Sequence, residues 1–508
     1  MLQKSVNLFG VILVLTSVAL ATPVKNIATS PAPKKDTSLL EFSNQQSRLR
    51  ARLAARTTLS QYDAFPMDET GRKVEYDYRP NYQLRVGADY KHTFAKYYFL
   101  EAFYEHDLFT GFDQAVSQSE LLERDDRFDA GRSELRKAKL NLRLGPIALA
   151  GGLDTSHWGL GLLANDGAHG WRPGNAYFTD PRSGDRVLRG SLVIGPFTPF
   201  RIAISLAYDS VIDDDILLEG DEAEQFIGAL LVNPGGARTG GIYVAHRMQK
   251  NYTGDDTVVT AVDVYGKWTQ EIGAQGLELT AELESATIIG KTGLAPSPEF
   301  TEHNILQFGV ASRVSLNSTK WGLVTDFLYA SGDQNFDDEQ INNFRADPNF
   351  EMGQLIFRQA VNTLSARAPV TAADPELVGR PNADLDRIPN QGAVTNTLAM
   401  FPRVWYSPVS SLHLYGGPLF AFAGVPLADP LNTRTGGGTP HNAFDAQAGR
   451  YLGAELNFGL RYTPRLGPAM FLVGAEVAHF TPGSAFEDDA GNRPDPITGG
   501  RIIIGGSL

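Results

Sequence analysis

Two histidines, His157 and His169, fall in one stretch of the chain with Asp154 and Asp166. Imidazole nitrogens and carboxylate oxygens together are the ligands of divalent-metal and hydrolytic centres. In this sequence they read as scattered polar residues of a loop, and no metal site is expected. A second carboxylate group, Asp333, Asp337, Asp338 and Glu339, lacks the glycine and terminal glutamate of an EF-hand loop and reads as a solvated acidic segment. There is no Gly-x-Ser-x-Gly elbow, no His-Glu-x-x-His and no phosphate-binding loop. The chain has no cysteine, which excludes disulfides and thiolate metal sites. No catalytic residue, no cofactor and no enzymatic activity are expected.

The other chemistry lies in charges that recur at every second position. Arg48, Arg50, Arg52, Arg56, Arg85, Lys91, Lys137, Lys139 and Arg143 are basic residues of the first strand-like segments, interrupted by Glu101 and Glu105. Asp263, Glu278, Glu282 and Glu284 form an acidic row further along. On the inner wall of a wide pore, opposed basic and acidic rows would set a transverse field that selects anionic or zwitterionic solutes. The alternative is that these charges pair across neighbouring strands, as in any polar lumen. The net charge of −13 gives no sign of nucleic-acid binding.

Such rows need strands to carry them. Tyr82, Leu84, Val86, Ala88 and Tyr90 alternate with polar residues, as do Tyr98, Leu100, Ala102 and Tyr104. The same rhythm recurs at Ala138, Leu140, Leu142 and Leu144, at Leu277, Leu279, Ala281 and Leu283, and from Leu452 to Tyr462. A helix would scatter each set around its surface, whereas a strand puts it on one side. Each segment has about ten residues, the length of a tilted transmembrane strand. The stretch from Arg48 to Arg56 fits both periods, and its neighbours favour a strand.

The connections alternate in length. Gly145-Pro146, Asn233-Pro234-Gly235-Gly236, Gly273-Ala274-Gln275-Gly276, Asn317-Ser318-Thr319 and others such as His92-Thr93 read as tight turns, and long polar segments separate them. Short periplasmic turns opposite long extracellular loops mark an all-β, transmembrane antiparallel β-barrel, here of about eighteen strands. A soluble β-sandwich would alternate too, but without that loop asymmetry. Lys4, an apolar stretch to Leu20 and the small residues Ala19 and Ala21 read as a cleaved secretory signal over residues 1–21. Residues 22–46 then read as a flexible periplasmic tail, and 47–508 as the barrel.

Two loops are candidates to narrow or plug the lumen. His157 and Trp158 begin the first, a constriction loop running from Ser156 to Asp185, with Leu160 and Leu162 out of place on an exposed surface; a stretch of strand wall with an interfacial Trp fits the same residues. The second, from Ser331 to Asn396, holds Leu355, Ile356, Val361 and Leu364 at helix-like spacing, as for a short helix at the barrel mouth.

With about eighteen strands, basic early strands carrying Arg85, Lys137 and Arg143, and long loops, the chain resembles the alginate-export-type porins over roughly residues 47–508. The last residue, Leu508, departs from the aromatic ending common in such barrels. The resemblance implies passive transport across the bacterial outer membrane, with lipid around the barrel and an anionic saccharide as one class of solute. The residues themselves point to diffusion of small hydrophilic, possibly anionic, solutes. A barrel-scaffold enzyme and a plugged adhesive barrel are the rival readings, and the oligomeric state is open.

Overall fold

The apolar rows and the charged rows separate onto opposite faces of one closed sheet. In the computed structural model, residues 39–71, 73, 79–110, 133–179, 184–197, 200–214, 216–217, 220–250, 254, 256–273, 276–293, 300–334, 338–365, 393–429, 432–433 and 436–508 are described. The strands in chain order are β1 (Leu40–Ser43), β2 (Ser47–Tyr62), β3 (Arg79–Ala95), β4 (Tyr98–Thr110), β5 (Glu134–Leu144), β6 (Ile147–Asp154) and β7 (Arg186–Phe197). They continue as β8 (Ile202–Asp213), β9 (Glu222–Val232), β10 (Arg238–Lys250), β11 (Asp256–Ile272), β12 (Leu277–Thr292), β13 (His303–Asn317) and β14 (Trp321–Ala330). The last are β15 (Gln340–Ile341), β16 (Thr397–Val409), β17 (Leu412–Phe422), β18 (Tyr451–Tyr462), β19 (Arg465–Leu466), β20 (Ala469–Pro482) and β21 (Ile497–Ser507).

Setting aside the short β1, β15 and β19, eighteen strands pair with their neighbours in an antiparallel ring. The ring closes where β2 pairs with β21, Thr57 opposite Ile504 and Ser60 opposite Arg501. Closure leaves no unpaired edge, which a sheet in lipid requires.

Along β14, Leu323, Phe327 and Tyr329 face outward while Val324, Asp326 and Leu328 are buried inside. Outward leucines, valines, isoleucines and phenylalanines continue this belt around the barrel, from Leu140 through Phe226, Val264, Leu306 and Val404 to Ile504. Tyr98, Trp321, Tyr406 and Tyr462 rim its short-turn end, and Tyr82 and Tyr329 its long-loop end. An apolar band between aromatic girdles is the surface a bilayer covers. Among the described residues no helix is long and apolar enough to cross a membrane.

Two boundaries differ from the sequence reading. The expected turn at His92-Thr93 lies inside β3, which runs on to Ala95 through a register shift. The end of the expected tail is folded: β1 pairs with β2, Leu40 opposite Ala51 and Ser43 opposite Arg48. β21 covers β2 only from Ala54 onward, and β1 takes up the edge that remains. Asn44 closes the hairpin, its Oδ1 accepting the Gln46 and Ser47 N–H groups. The signal segment and the tail up to residue 38 lie outside the described residues.

Candidate functional site: a lumen crossed by two loops

Long loops at one end of the barrel turn inward. The segment after β6 crosses the lumen to the far wall. Its Trp158 Nε1 donates to Asp263 at 3.1 Å, Phe178 packs on Phe401 and Tyr415, and Trp171 packs on His413. The segment between β14 and β16 also enters, and its residues Ile356–Val361 form one buried π-helical turn followed by a helical turn at Asn362–Ser365. Phe344, Leu355, Ile356 and Phe357 join Leu162 and Phe178 in a single apolar cluster against inward Leu328, Trp405, Leu419 and Phe480. The loops thereby cover inward residues of the strands from β14 to β21.

Each loop is held by a buried wall carboxylate that accepts consecutive backbone N–H groups. Glu284 accepts from Leu160 and from Leu162, the latter at 3.0 Å. Glu455 accepts from Gln354, Leu355 and Ile356 at 2.6, 3.1 and 2.8 Å. Both segments start at a glycine with positive φ, Gly159 and Gly353, where a Cβ would lie within 2.4 and 2.8 Å of the carboxylate. A backbone turned to aim its N–H groups at an anion needs that conformation. The loops also hold each other, since Asn165 N–H donates to Asp347 and Asp347 N–H donates to the Leu162 carbonyl. We expect Glu284→Ala to leave the buried Leu162 N–H and the part-buried Leu160 N–H without this acceptor, at about 1–3 kcal/mol for the buried one. Its channel current should flicker between sublevels where the parent is steady, as single-channel recording will show.

The basic row faces inward as one set on each strand. Arg48, Arg50, Arg52 and Arg56 stand opposite Lys91, Asp89, Gly87 and Gln83 of β3. Most of the row is paired. Arg48 meets Glu41 at 2.9 Å, Arg52 meets Asp89 at 2.8 Å, and Lys91 meets Glu101 at 2.8 Å. Arg85 forks onto Asp107 at 2.6 and 2.8 Å. Lys139 meets Asp154 at 2.7 Å, while Lys137 lies 3.9 Å from Asp166. Arg143 instead ties two short turns together through the Gly145 and Gly195 carbonyls.

The acidic row is not an open wall. Asp263 and Glu284 are wholly buried, because the loop carrying Trp158, Leu160 and Leu162 covers them. Glu282 accepts from Tyr265 at 2.6 Å and faces Lys267 at 3.7 Å. Glu278 sits near the short-turn end opposite Glu271.

Several inward cations lie outside the basic row read from the sequence. Arg136 is wholly buried at a β-bulge, where Glu105 pairs with Lys137 and His106 with Leu135. It lies 3.4 Å from Glu105 and donates to the Asp166 carbonyl. A bulge leaves no mark in a period-two pattern. Arg189 forks onto Asp209, Arg313 and Arg403 share Asp326, and Arg461 and Arg501 share Glu476. Alternation marks these last, since each has at least one outward apolar neighbour: Leu188, Val314, Val404, Leu460 and Ile502.

His157 and His169, read from sequence as scattered, are brought together by the constriction loop. Their rings stack at 3.6 Å, and His169 Nδ1 lies 2.8 Å from Asp166 Oδ1. Burial first, and then the neighbouring His169, pushes the His157 imidazole down to about 4. Burial alone would raise the Asp166 carboxyl, but the hydrogen bond and charge of His169 outweigh it and hold the group below the usual carboxylate range.

A closed ring of eighteen strands, an outward apolar belt and loops folded into a polar lumen define the fold of the bacterial outer-membrane porins. Two Pseudomonas aeruginosa proteins share it. The crystal structure of OccK2 (OpdF) matches with a TM-score of 0.50 at 12% identity, covering 91% of this chain and 97% of that one. OccK9 (OpdG) matches with a TM-score of 0.52 at 11% identity, covering 91% and 98%. No protein-family model matches the chain. No curated protein matches it either.

Proposed function

We propose that this protein is an outer-membrane channel through which small hydrophilic solutes diffuse, with a preference for anions. The observation that carries the reading is the row Arg48, Arg50, Arg52 and Arg56 on an inner wall that the loops leave open. The Arg48 and Arg52 side chains stay 49% and 42% exposed, while the apolar cluster of the loops covers inner-wall residues of the later strands. From β2 to β6, inward arginines and lysines outnumber inward carboxylates, so the local potential along this wall favours negative solutes. The strand number and the basic early strands also support the finer, alginate-export-type reading, for which an acidic saccharide is the solute class. A secretory signal at residues 1–21 belongs to the same reading.

The test is a reversal-potential measurement on the variant with Arg48, Arg50, Arg52 and Arg56 all changed to serine. Its anion-to-cation permeability ratio should fall by roughly twofold or more, because fixed charges at a pore wall set potentials of several kT. The barrel should still fold, since the β2–β3 and β2–β21 ladders are backbone bonds. An unchanged ratio would remove this row from the selectivity mechanism.

A further inference from the structure

We propose that His157, Asp166 and His169 form a transition-metal site on the constriction loop, suited to Zn²⁺ or a similar first-row divalent ion. Each of the three offers one donor atom, and these atoms lie within 4.8 Å of one another. Two histidines and one carboxylate supply three ligands and leave the remaining positions to water. Imidazole nitrogens favour zinc, nickel or copper over calcium and magnesium.

The second observation is an unused donor. His157 Nδ1 is buried, makes no hydrogen bond of ordinary geometry, and lies 3.8 Å from Asp166 Oδ1. A buried ring nitrogen with nothing to bind is costly, and a metal would satisfy it. Ligands about 2.0–2.1 Å from a tetrahedral ion stand roughly 3.3 Å apart, so the His157–Asp166 pair at 3.8 Å must close, the His169–Asp166 pair at 2.8 Å must widen, and no pair exceeds 4.8 Å. The present stacking of the two rings must open. The His169 side chain is 40% exposed, so its ring turns without leaving a packed position. Asp166 is held in place: its main-chain carbonyl accepts from Arg136 at 2.9 Å, its carboxylate Oδ1 accepts the Ala168 N–H, and Lys137 stands 3.9 Å from Oδ2. Neighbouring residues pin the loop at both ends, Ser156 to Arg189 and Asn165 to Asp347. Lys137 weakens the attraction for a cation, while Glu105 beside Arg136 offsets part of that.

The inference goes beyond the channel reading, and its test does not measure transport. Purified full-length barrel, stripped with EDTA, is titrated with ZnCl₂ by calorimetry, and with CoCl₂ for its visible absorption. One ion per chain is expected, with the intense d–d bands of a low-coordinate Co²⁺ site. His157→Ala and His169→Ala should each weaken binding by more than the roughly 10–100-fold that loss of an outer-shell partner costs. His441→Ala, a remote histidine bonded to the Thr439 carbonyl, should leave it unchanged. Because His169 is partly exposed, its alanine variant keeps the fold, and an unchanged heat-shifted gel band verifies this. No stoichiometric ion, or an affinity equal in parent and both histidine variants, would overturn the site.

Discussion

Excising residues 348–392 and joining Asp347 to Ala393 through two glycines is expected to raise single-channel conductance severalfold. The cut ends already lie side by side, because Ala346 N–H donates to the Val394 carbonyl at 3.0 Å and Arg345 bridges Thr395. The deletion removes Phe350, Leu355, Ile356, Phe357, Val361 and Leu364 from the apolar cluster in the lumen. It also frees Glu455 from the three N–H groups it now accepts, returning that carboxylate to water. Asp347 remains to hold the first loop at Asn165. The barrel ladder is untouched, since β14 pairs with β16 from Trp321 opposite Tyr406 to Ala330 opposite Thr397. The anion preference should persist, because the deletion removes no member of the basic row on β2 to β5. Conductance equal to that of the parent would mean that the second loop does not limit the passage.

The largest expected loss of stability comes from Glu476→Ala. The Glu476 carboxylate has no exposed surface and accepts from Arg461 and Arg501 at 2.6 Å each, with the Tyr415 hydroxyl as a third donor. Removing it takes away the carboxylate that two buried guanidinium groups share. Breaking a buried pair in this way costs about 3–5 kcal/mol, far more than the net worth of the intact pair. Glu487→Ala is the control. It breaks a pair of similar length with Arg493 at 2.5 Å, but both side chains are about a third or more exposed, and an exposed pair is worth about 0–1 kcal/mol. Urea unfolding in detergent micelles, followed by the heat-shifted gel band, separates the two variants.

The strand wall was legible because its signal is local. Leu277, Leu279, Ala281 and Leu283 face out, and Glu282 and Glu284 face in, as period two requires. The four arginines of β2 share a side for the same reason. Ile147–Asp154, a weak pattern rich in glycine and alanine, is nevertheless a full member of the ring, since both neighbours pair with it. What was not legible depends on residues far apart in the chain. Glu284 meets Leu162 across 122 positions and Glu455 meets Ile356 across 99, so nothing in either neighbourhood marks a wall glutamate as a loop anchor. The acidic row therefore looked like pore lining, although two of its four members lie beneath a loop. The same holds for His157, Asp166 and His169, whose proximity is set by a loop held between Arg189 and Asp347. The β-bulge at Arg136 and the pairing of Leu40–Ser43 with β2 belong to this group as well.

The most direct test of the channel reading is single-channel recording of the purified, folded protein in a planar bilayer under a KCl gradient. The account predicts a steady current through a narrowed aqueous passage along β2 to β6, with a reversal potential on the anion-selective side. No current from protein that shows the heat-shifted band of a folded barrel would contradict it, because the loops would then close the lumen completely.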